Sequence, residues 1–187
     1  MKKALILHWW EWTSESHWFL WLAKQLELQW YETIVPDLPG TEFPVLEEQV
    51  DFLDQFSLGQ GDLIVGHSLG CQVWLKYIEE QKLNNIKVIF VAPSYNYLAD
   101  ELGDDRLGDA FVCMSNAFNT ENNFRQINKL WNSYVVMLSD DDPYINSFNA
   151  KQFYGQLDKN SFVDFSKKWH FGVDSWVIEF PELLQYL

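Results

Sequence analysis

The feature that most constrains this chain is a Gly-x-Ser-x-Gly sequence at residues 66–70, which lies between two stretches of different apolar spacing. Residues 63–65 form a continuous apolar run typical of a buried strand, whereas the apolar residues after the motif recur at helical spacing. This change predicts a tight turn from strand to helix with Ser68 at its tip. Glycine on both sides suits such a turn, because larger side chains would collide with the neighbouring strand and helix.

Short apolar runs and helical patterns alternate along the rest of the chain. Strands are predicted at 4–7, 33–35, 63–65, 87–92, 134–138 and 161–165, and helices near 17–26, 46–56, 71–78, 148–157 and 177–187. Such alternation is typical of βαβ units, whose helices cover both faces of a parallel sheet. The predicted fold class is α/β: a three-layer α/β/α sandwich with a mostly parallel sheet of about six strands, in one domain over residues 1–187.

Two finer expectations concern the ends of these elements. Ser16 is expected to cap the first helix, whose inward face would include Leu20. The polar and irregular stretch 94–130 is expected to form loops with one or two helical turns over the site.

Charge and cysteine content limit the classes of function. The chain has 13 Lys and Arg against 27 Asp and Glu, a net charge of −14, which argues against binding to nucleic acid or to an anionic membrane surface. No stretch of about 18 uncharged apolar residues is present to span a membrane. The two cysteines, Cys71 and Cys113, form no CxxC motif, so neither a disulfide scaffold nor a zinc site is expected. The predicted location is the cytoplasm, and no metal or organic cofactor is implied.

Four polar residues follow predicted strand ends: His8, Ser68, Asp142 and His170. The carboxyl ends of parallel strands lie at one edge of a sheet, where sites in such folds are found, so these side chains are expected to converge. Serine needs a base, normally a histidine that a carboxylate orients. Ser68, Asp142 and His170 occur in the chain order expected of a hydrolase on such a sheet, and His170 is the only histidine after the serine. The predicted roles are nucleophile, acid and base, respectively.

Other residues compete for some of these roles. Asp141 is the alternative acid, and Asp142 is preferred because Pro143 fixes the turn directly after it. His67 is expected to lie beside the turn and to pack under the loops, and His8 is expected to order the oxyanion loop; neither is expected to transfer protons. Cys71, at the start of the helix, would make a thiol-dependent enzyme, but a small buried residue is the favoured interpretation.

The transition state of acyl transfer needs two hydrogen-bond donors for its oxyanion. The backbone N–H of Leu69, after the nucleophile, is the first expected donor, and the loop after the first strand supplies the second from Trp9 or Trp10. The tryptophans Trp10, Trp12 and Trp18 are candidates for lining an apolar acyl or aromatic pocket. The alternative for each of them is packing against neighbouring helices.

Several short motifs together resemble the small serine hydrolases of the retinoblastoma-binding protein 9 type. Besides the serine motif, they are the segments 4–8, 16–18, 36–39, 91–93, 139–144 and 169–171. The resemblance runs along essentially the whole chain and implies a compact, lidless α/β-hydrolase. Carried over by position, it places the nucleophile on Ser68, the acid on Asp142 and the base on His170.

The sequence departs from that family at two positions. Trp9 and Trp169 stand where the family usually has glycine, after the first-strand histidine and before the catalytic histidine. The predicted function is a serine hydrolase that cleaves an ester, thioester or similar acyl compound through an acyl-enzyme, and small acyl chains are expected because a single compact domain offers a shallow, open site. The resemblance also implies an alternative, because the family is named for binding a protein partner: a protein-interaction module on a hydrolase fold, with little turnover.

Overall fold

The computed structural model describes residues 1–8, 10, 12–96, 118, 121–172 and 176–187. Six strands are present in this part of the chain: β1 (Lys2–Leu7), β2 (Tyr31–Ile34), β3 (Leu63–His67), β4 (Lys87–Val91), β5 (Ser133–Ser139) and β6 (Asn160–Phe165). The α-helices among the same residues are α1 (Phe19–Glu27), α2 (Leu46–Phe52), α3 (Leu69–Gln81), α4 (Phe124–Ile127) and α5 (Ser147–Tyr154). The described residues also form two 3₁₀ helices, Leu53–Phe56 and Pro181–Tyr186.

The six strands form one sheet in the order β2-β1-β3-β4-β5-β6. Every neighbouring pair is parallel, so the predicted α/β fold is confirmed and the sheet is entirely rather than mostly parallel. From β1 the chain moves outward to β2, whereas from β3 it moves the opposite way through β4 and β5 to β6. Because crossovers between parallel strands are right-handed, this reversal puts α1 and α3 on opposite faces of the sheet.

The reversal of direction also locates the site. Ligand sites in open parallel sheets lie beyond the carboxyl ends of the strands where the winding direction changes, here between β1 and β3. His8 follows β1 and Ser68 follows β3, so both lie at this point. The strands beneath them are buried: all five residues of β3 and the last four of β1 are in the core.

Aromatic residues make up much of the core and explain the 10 tryptophans in part. Trp18, Trp74 and Tyr154 are the largest fully buried side chains, and each donates a hydrogen bond to a backbone carbonyl. Rings of this kind contribute large apolar area, while their N–H or O–H group still finds an acceptor. The aromatic excess therefore stabilises the interior of a sheet of moderate size.

Three details of the helices differ from the sequence-based expectation: one start, one buried face and one helix type. The first helix begins at Phe19 without a side-chain cap, because Ser16 Oγ instead accepts a hydrogen bond from the N–H of Thr13. Leu20, expected on the inward face, is 42% exposed. The final segment forms a 3₁₀ helix, Pro181–Tyr186, rather than an α-helix over 177–187, and it begins at Pro181, whose lack of an N–H and fixed φ suit a first turn.

Most of the stretch 94–130 that was expected to form loops lies outside the described residues. Within its described part, Phe124–Ile127 form one helical turn, which Asn123 caps by accepting from the N–H of Gln126. No helix among the described residues is long and apolar enough to cross a membrane.

Candidate active site

Ser68 lies in a strained turn between β3 and α3. Its φ of 52° and ψ of −115° are outside the ordinary regions for a residue with a side chain. A Cβ atom at Gly66 would lie 3.0 Å from the backbone N of Cys71, and one at Gly70 would lie 2.8 Å from the backbone O of His8. Both glycines are therefore required by close backbone approach, as the sequence motif predicts.

Backbone and side-chain hydrogen bonds hold this turn in place. The N–H of Ser68 donates to the carbonyl of Val91 at 3.0 Å. The N–H and the hydroxyl of Ser94 both lie 3.2 Å from the Ser68 carbonyl and donate to it. Tyr154 Oη in turn donates to the carbonyl of Ser94 at 2.6 Å. Strand β4 and helix α5 thus stabilise the conformation of the candidate nucleophile.

The structure brings Asp142 and His170 together. His170 Nδ1 lies 2.9 Å from Asp142 Oδ2 and 3.1 Å from Oδ1, and both side chains are buried. Oδ1 also accepts from the N–H groups of Tyr144 and Ile145, at 2.9 and 3.0 Å, which orients the carboxylate. Because an ionised carboxylate only accepts, His170 carries its proton on Nδ1, and Nε2 is the basic atom of the neutral ring.

Asp141, the alternative acid, has a different role. Its Oδ1 accepts from Ser139 Oγ at 2.7 Å and from the N–H of Trp169 at 3.0 Å. The hydrogen bond from Ser139 is the main cause that lowers the pKa of Asp141. Asp141 therefore orders the segment that leads to His170, while Asp142 contacts the imidazole itself.

The other two predicted histidines lie beside the turn. His8 is buried, and its Nε2 accepts a hydrogen bond from the N–H of Leu38 at 2.9 Å, which joins the loops after β1 and β2. His67 is fully buried, and its Nε2 lies 2.8 Å from the backbone carbonyl oxygen of His170. His8 thus contacts the loop after β2, whereas the contact of His67 with the His170 carbonyl was not predicted from the sequence.

Cys71 is fully buried, and its Sγ lies 3.9 Å from the carbonyl of Val91. Burial raises the pKa of its thiol well above the ordinary value, because the thiolate would lose its hydration. A protonated, inaccessible thiol is a poor nucleophile, which argues against the thiol-dependent alternative.

The predicted oxyanion and pocket residues have different surroundings. Leu69 is the first residue of α3, and Trp9 lies outside the described residues. Trp10 is half-buried, with its Nε1 donating to the carbonyl of Glu42 at 2.9 Å. Trp12 is also half-buried, and its ring centroid lies 5.2 Å from that of His67. Trp12 therefore borders the site.

Trp18 does not fit the pocket role that was expected of it. Its side chain is fully buried in the core, and its Nε1 donates to the carbonyl of Phe171 at 2.9 Å. An indole enclosed by protein cannot line an open pocket, so Trp18 takes the packing role that was its alternative. Its N–H reaches the segment of His170, which the sequence did not indicate.

Contacts that join distant parts of the chain were missed from the sequence. Tyr144 presents its ring edge-on to His170, with centroids 5.1 Å apart, and its position two residues after Asp142 was a usable signal. Ser94 and Tyr154 had no such signal, because the contact of Ser94 with Ser68 and that of Tyr154 with Ser94 depend on the packing of β4 and α5. Among the described residues, no group of three or more His, Cys, Asp and Glu side chains could hold a metal ion.

An all-parallel sheet, a strained serine after its third strand and a carboxylate–histidine pair after later strands are typical of the α/β-hydrolase class. A family model described as serine hydrolase matches residues 4–187. The chain therefore belongs to the serine hydrolase family.

Individual proteins share part of the sequence or the fold of this chain. The YdeN protein of Bacillus subtilis is 33% identical over 84 residues, which cover 44% of this chain and 44% of that protein. The structure of the ydeN gene product has a TM-score of 0.85 at 24% identity and covers 99% of this chain and 96% of its own. Est1E from Butyrivibrio proteoclasticus, solved with bound ferulic acid, has a TM-score of 0.70 at 13% identity, with coverage of 100% and 89%. At these identities the structural matches show a shared α/β-hydrolase fold.

Proposed function

We propose that this chain is a serine hydrolase that cleaves small carboxylic esters or related acyl compounds through an acyl-enzyme. The observation that carries the proposal is the pairing of buried His170 with Asp142 at the same sheet edge as the strained Ser68. A carboxylate that fixes the imidazole tautomer and a serine held on a strained turn are what nucleophilic acyl transfer needs.

In the proposed reaction, Ser68 Oγ attacks the carbonyl carbon while His170 Nε2 takes the hydroxyl proton. The tetrahedral intermediate collapses to the acyl-enzyme, and His170 returns the proton to the leaving alkoxide. Water then attacks the acyl-enzyme by the same route, releasing the acid and regenerating Ser68. Asp142 stays ionised throughout and stabilises the imidazolium. The N–H groups of Leu69 and Trp9 are the proposed oxyanion donors.

Small acyl groups are the proposed substrates because access to the reacting atoms is narrow. Ser68 is 3% exposed and His170 is 4% exposed. Trp12 borders the site, and the bulky Trp9 replaces the glycine usual in the resembled family. The finer assignment to the retinoblastoma-binding protein 9 type and a cytoplasmic location remain predictions; the buried free thiol of Cys71 suits a reducing compartment.

Intact-protein mass spectrometry after treatment with a fluorophosphonate tests the proposal. We expect one adduct that maps to Ser68, is absent in Ser68→Ala, and is lost or greatly slowed in His170→Ala. Hydrolysis of p-nitrophenyl esters should then be fastest for short chains, and cleavage of long-chain esters alone would contradict the substrate class.

The protein-interaction alternative predicts the opposite result in the same experiment. A folded protein that forms no adduct and hydrolyses no ester, but retains a stable protein partner equally well in Ser68→Ala, would replace the enzyme proposal. If the protein hydrolyses esters at Ser68 as proposed, Cys71→Ala should retain full activity.

A further inference from the structure

His67 connects the candidate nucleophile to the candidate base. It is the last residue of β3 and directly precedes Ser68 in the chain. Its Nε2 lies 2.8 Å from the backbone carbonyl oxygen of His170. Because a carbonyl oxygen only accepts hydrogen bonds, Nε2 carries the proton and donates it to that carbonyl. One hydrogen bond thus joins residues that are 103 positions apart in sequence.

The surroundings of His67 keep its ring neutral and in place. The ring is fully buried, with the ring centroids of Trp18 and Phe19 at 5.9 and 6.0 Å and that of His170 at 4.9 Å. Burial, followed by the neighbouring His170, lowers the pKa of His67 well below its ordinary value. A neutral imidazole has a single N–H, and here that donor is directed to His170.

The segment that receives this hydrogen bond has a strained backbone. In the segment 166–172, termed here the His170 loop, Lys167, Trp169 and Phe171 have φ angles of 60°, 46° and 55°. Left-handed conformations cost about 1–2 kcal/mol for each residue with a side chain. Such a loop keeps one conformation only when surrounding contacts determine it.

Two adjacent carbonyls of the His170 loop accept hydrogen bonds from buried rings. His67 Nε2 donates to the carbonyl of His170, and Trp18 Nε1 donates to that of Phe171 at 2.9 Å. Both donors come from the amino-terminal half of the chain and are themselves fixed by the core. They constrain the backbone of the segment that carries the candidate base.

We propose that His67 is a positioning residue, whose Nε2–H holds the His170 loop so that the imidazole of His170 stays aligned between Asp142 and Ser68. This inference rests on the proposed serine hydrolase function. It assigns His67 no proton transfer and no contact with substrate. The role depends on the N–H donor of residue 67. A substitution that keeps a ring without the N–H should therefore lower the activity, and one that keeps a donor should recover part of it.

The test compares His67→Phe with His67→Gln and the wild type. Phenylalanine retains an apolar ring without a donor, whereas glutamine retains an amide N–H of similar reach. Ester hydrolysis is measured per reactive serine, counted by fluorophosphonate titration, so that misfolded molecules do not contribute. Tyr77→Phe is the matched control. Tyr77 lies further along α3, and the substitution removes a buried side-chain hydroxyl that donates to the carbonyl of Leu53.

We expect kcat per reactive site to fall about 10- to 100-fold in His67→Phe with KM changed less than about threefold, because a small misplacement of the base affects the chemical step. His67→Gln should recover at least about a third of the wild-type kcat, and Tyr77→Phe should stay within about twofold of wild type. A kcat within about twofold of wild type in His67→Phe, or an equal loss in His67→Gln, would overturn the proposal.

Amide hydrogen exchange of a peptide covering 166–172 provides a readout that does not need turnover. Exchange in His67→Phe should be several-fold faster than in wild type or Tyr77→Phe, because the loop opens more often. Unchanged exchange would overturn the proposal. If the wild type neither hydrolyses esters nor forms an adduct, the proposed function fails, and exchange alone decides whether His67 holds the loop. If His67→Phe does not fold, His67→Met, which is also apolar and lacks the donor, takes its place, and its exchange and kcat are judged by the same criteria.

Discussion

The turn at Ser68 and the His170 loop both hold a strained backbone in one conformation, but they do so in different ways. Ser68 itself has a positive φ, whereas in the His170 loop the positive φ angles belong to Lys167 and to Trp169 and Phe171, on either side of the candidate base. At Ser68 the neighbouring glycines remove the atoms that would collide, so the strain is confined to one residue. The His170 loop contains no glycine between Lys167 and Phe171 and places side chains at three positive-φ positions.

Hydrogen bonds from other elements compensate for this in the His170 loop. Ser139 Oγ accepts from the N–H of Lys168 at 3.1 Å, and Asp141 accepts from the N–H of Trp169. On the other side, Trp18 and His67 donate to the loop carbonyls. The comparison teaches that one strained backbone can be specified locally by glycine and another by long-range contacts. The two should therefore respond differently to substitution.

Removing the charge of Asp142 should have the largest effect. Asp142→Asn keeps the shape but allows the wrong histidine tautomer, and a loss in kcat of about 10⁴-fold, about 5.5 kcal/mol, is expected. Asp141→Asn is the control and should lose about tenfold or less, because Asp141 supports only the loop backbone. Ester hydrolysis per titrated serine measures both, and equal losses would show that the two carboxylates share one role.

Gly70→Ala should be the next most damaging change. The new Cβ would lie 2.8 Å from the His8 carbonyl oxygen and 3.0 Å from Leu7 Cβ, so the backbone must move. We expect the free energy of unfolding to fall by about 3 kcal/mol in urea denaturation, with loss of serine labelling. Gly59→Ala, where no atom lies within 4 Å of the added Cβ, should change stability by less than about 0.5 kcal/mol. Similar values for the two glycines would contradict the steric explanation.

Acidification should destabilise the protein through the half-buried His17 and the buried His67. Burial is the main cause that lowers the pKa of His17 from 6.5 to about 4, and it lowers that of His67 well below 6.5. Above pH 6.5 the rings are neutral in both the native and the unfolded state. Between pH 6.5 and about 4 the unfolded chain binds protons that the native state excludes, so the free energy of unfolding decreases as the pH is lowered.

Urea denaturation at pH 7, 6 and 5 measures this slope. In His67→Gln the slope of the free energy of unfolding against pH should be smaller by up to about 1.4 kcal/mol per pH unit, the limit for one proton. An unchanged slope would mean that His67 is protonated in the native state. Such a result would also remove the neutral donor on which the positioning role depends.

Trp169→Gly should have the smallest effect. Trp169 has a φ of 46° and is 48% exposed, so glycine relieves the left-handed strain of about 1–2 kcal/mol but gives up the contacts of the buried half of the ring. Because these two contributions oppose each other, the unfolding free energy should change by less than about 1 kcal/mol, with kcat within about twofold of wild type. Thermal and urea denaturation measure the change, and a large destabilisation would mean that the Trp169 ring itself packs the loop in place.

Much of the fold could be predicted from local patterns. Continuous apolar runs such as 63–65 and 87–92 anticipated buried parallel strands, because such strands are covered on both faces. Boundaries were less predictable: Ser16 can cap a helix or bond Thr13, and both options satisfy its hydroxyl locally. The orientation of the first helix, with Leu20 exposed, depended on which face α1 turns to the sheet.

The sequence by itself determined the α/β class, the strained turn at Ser68, and the candidates Asp142 and His170, because each depends on residue type and order along the chain. Only the tertiary structure decided that Asp142 rather than Asp141 contacts His170, that Trp18 is buried in the core, and that His67 reaches the carbonyl of His170. Those contacts join segments far apart in sequence, and their geometry is set by how the strands and helices pack, which no local pattern records.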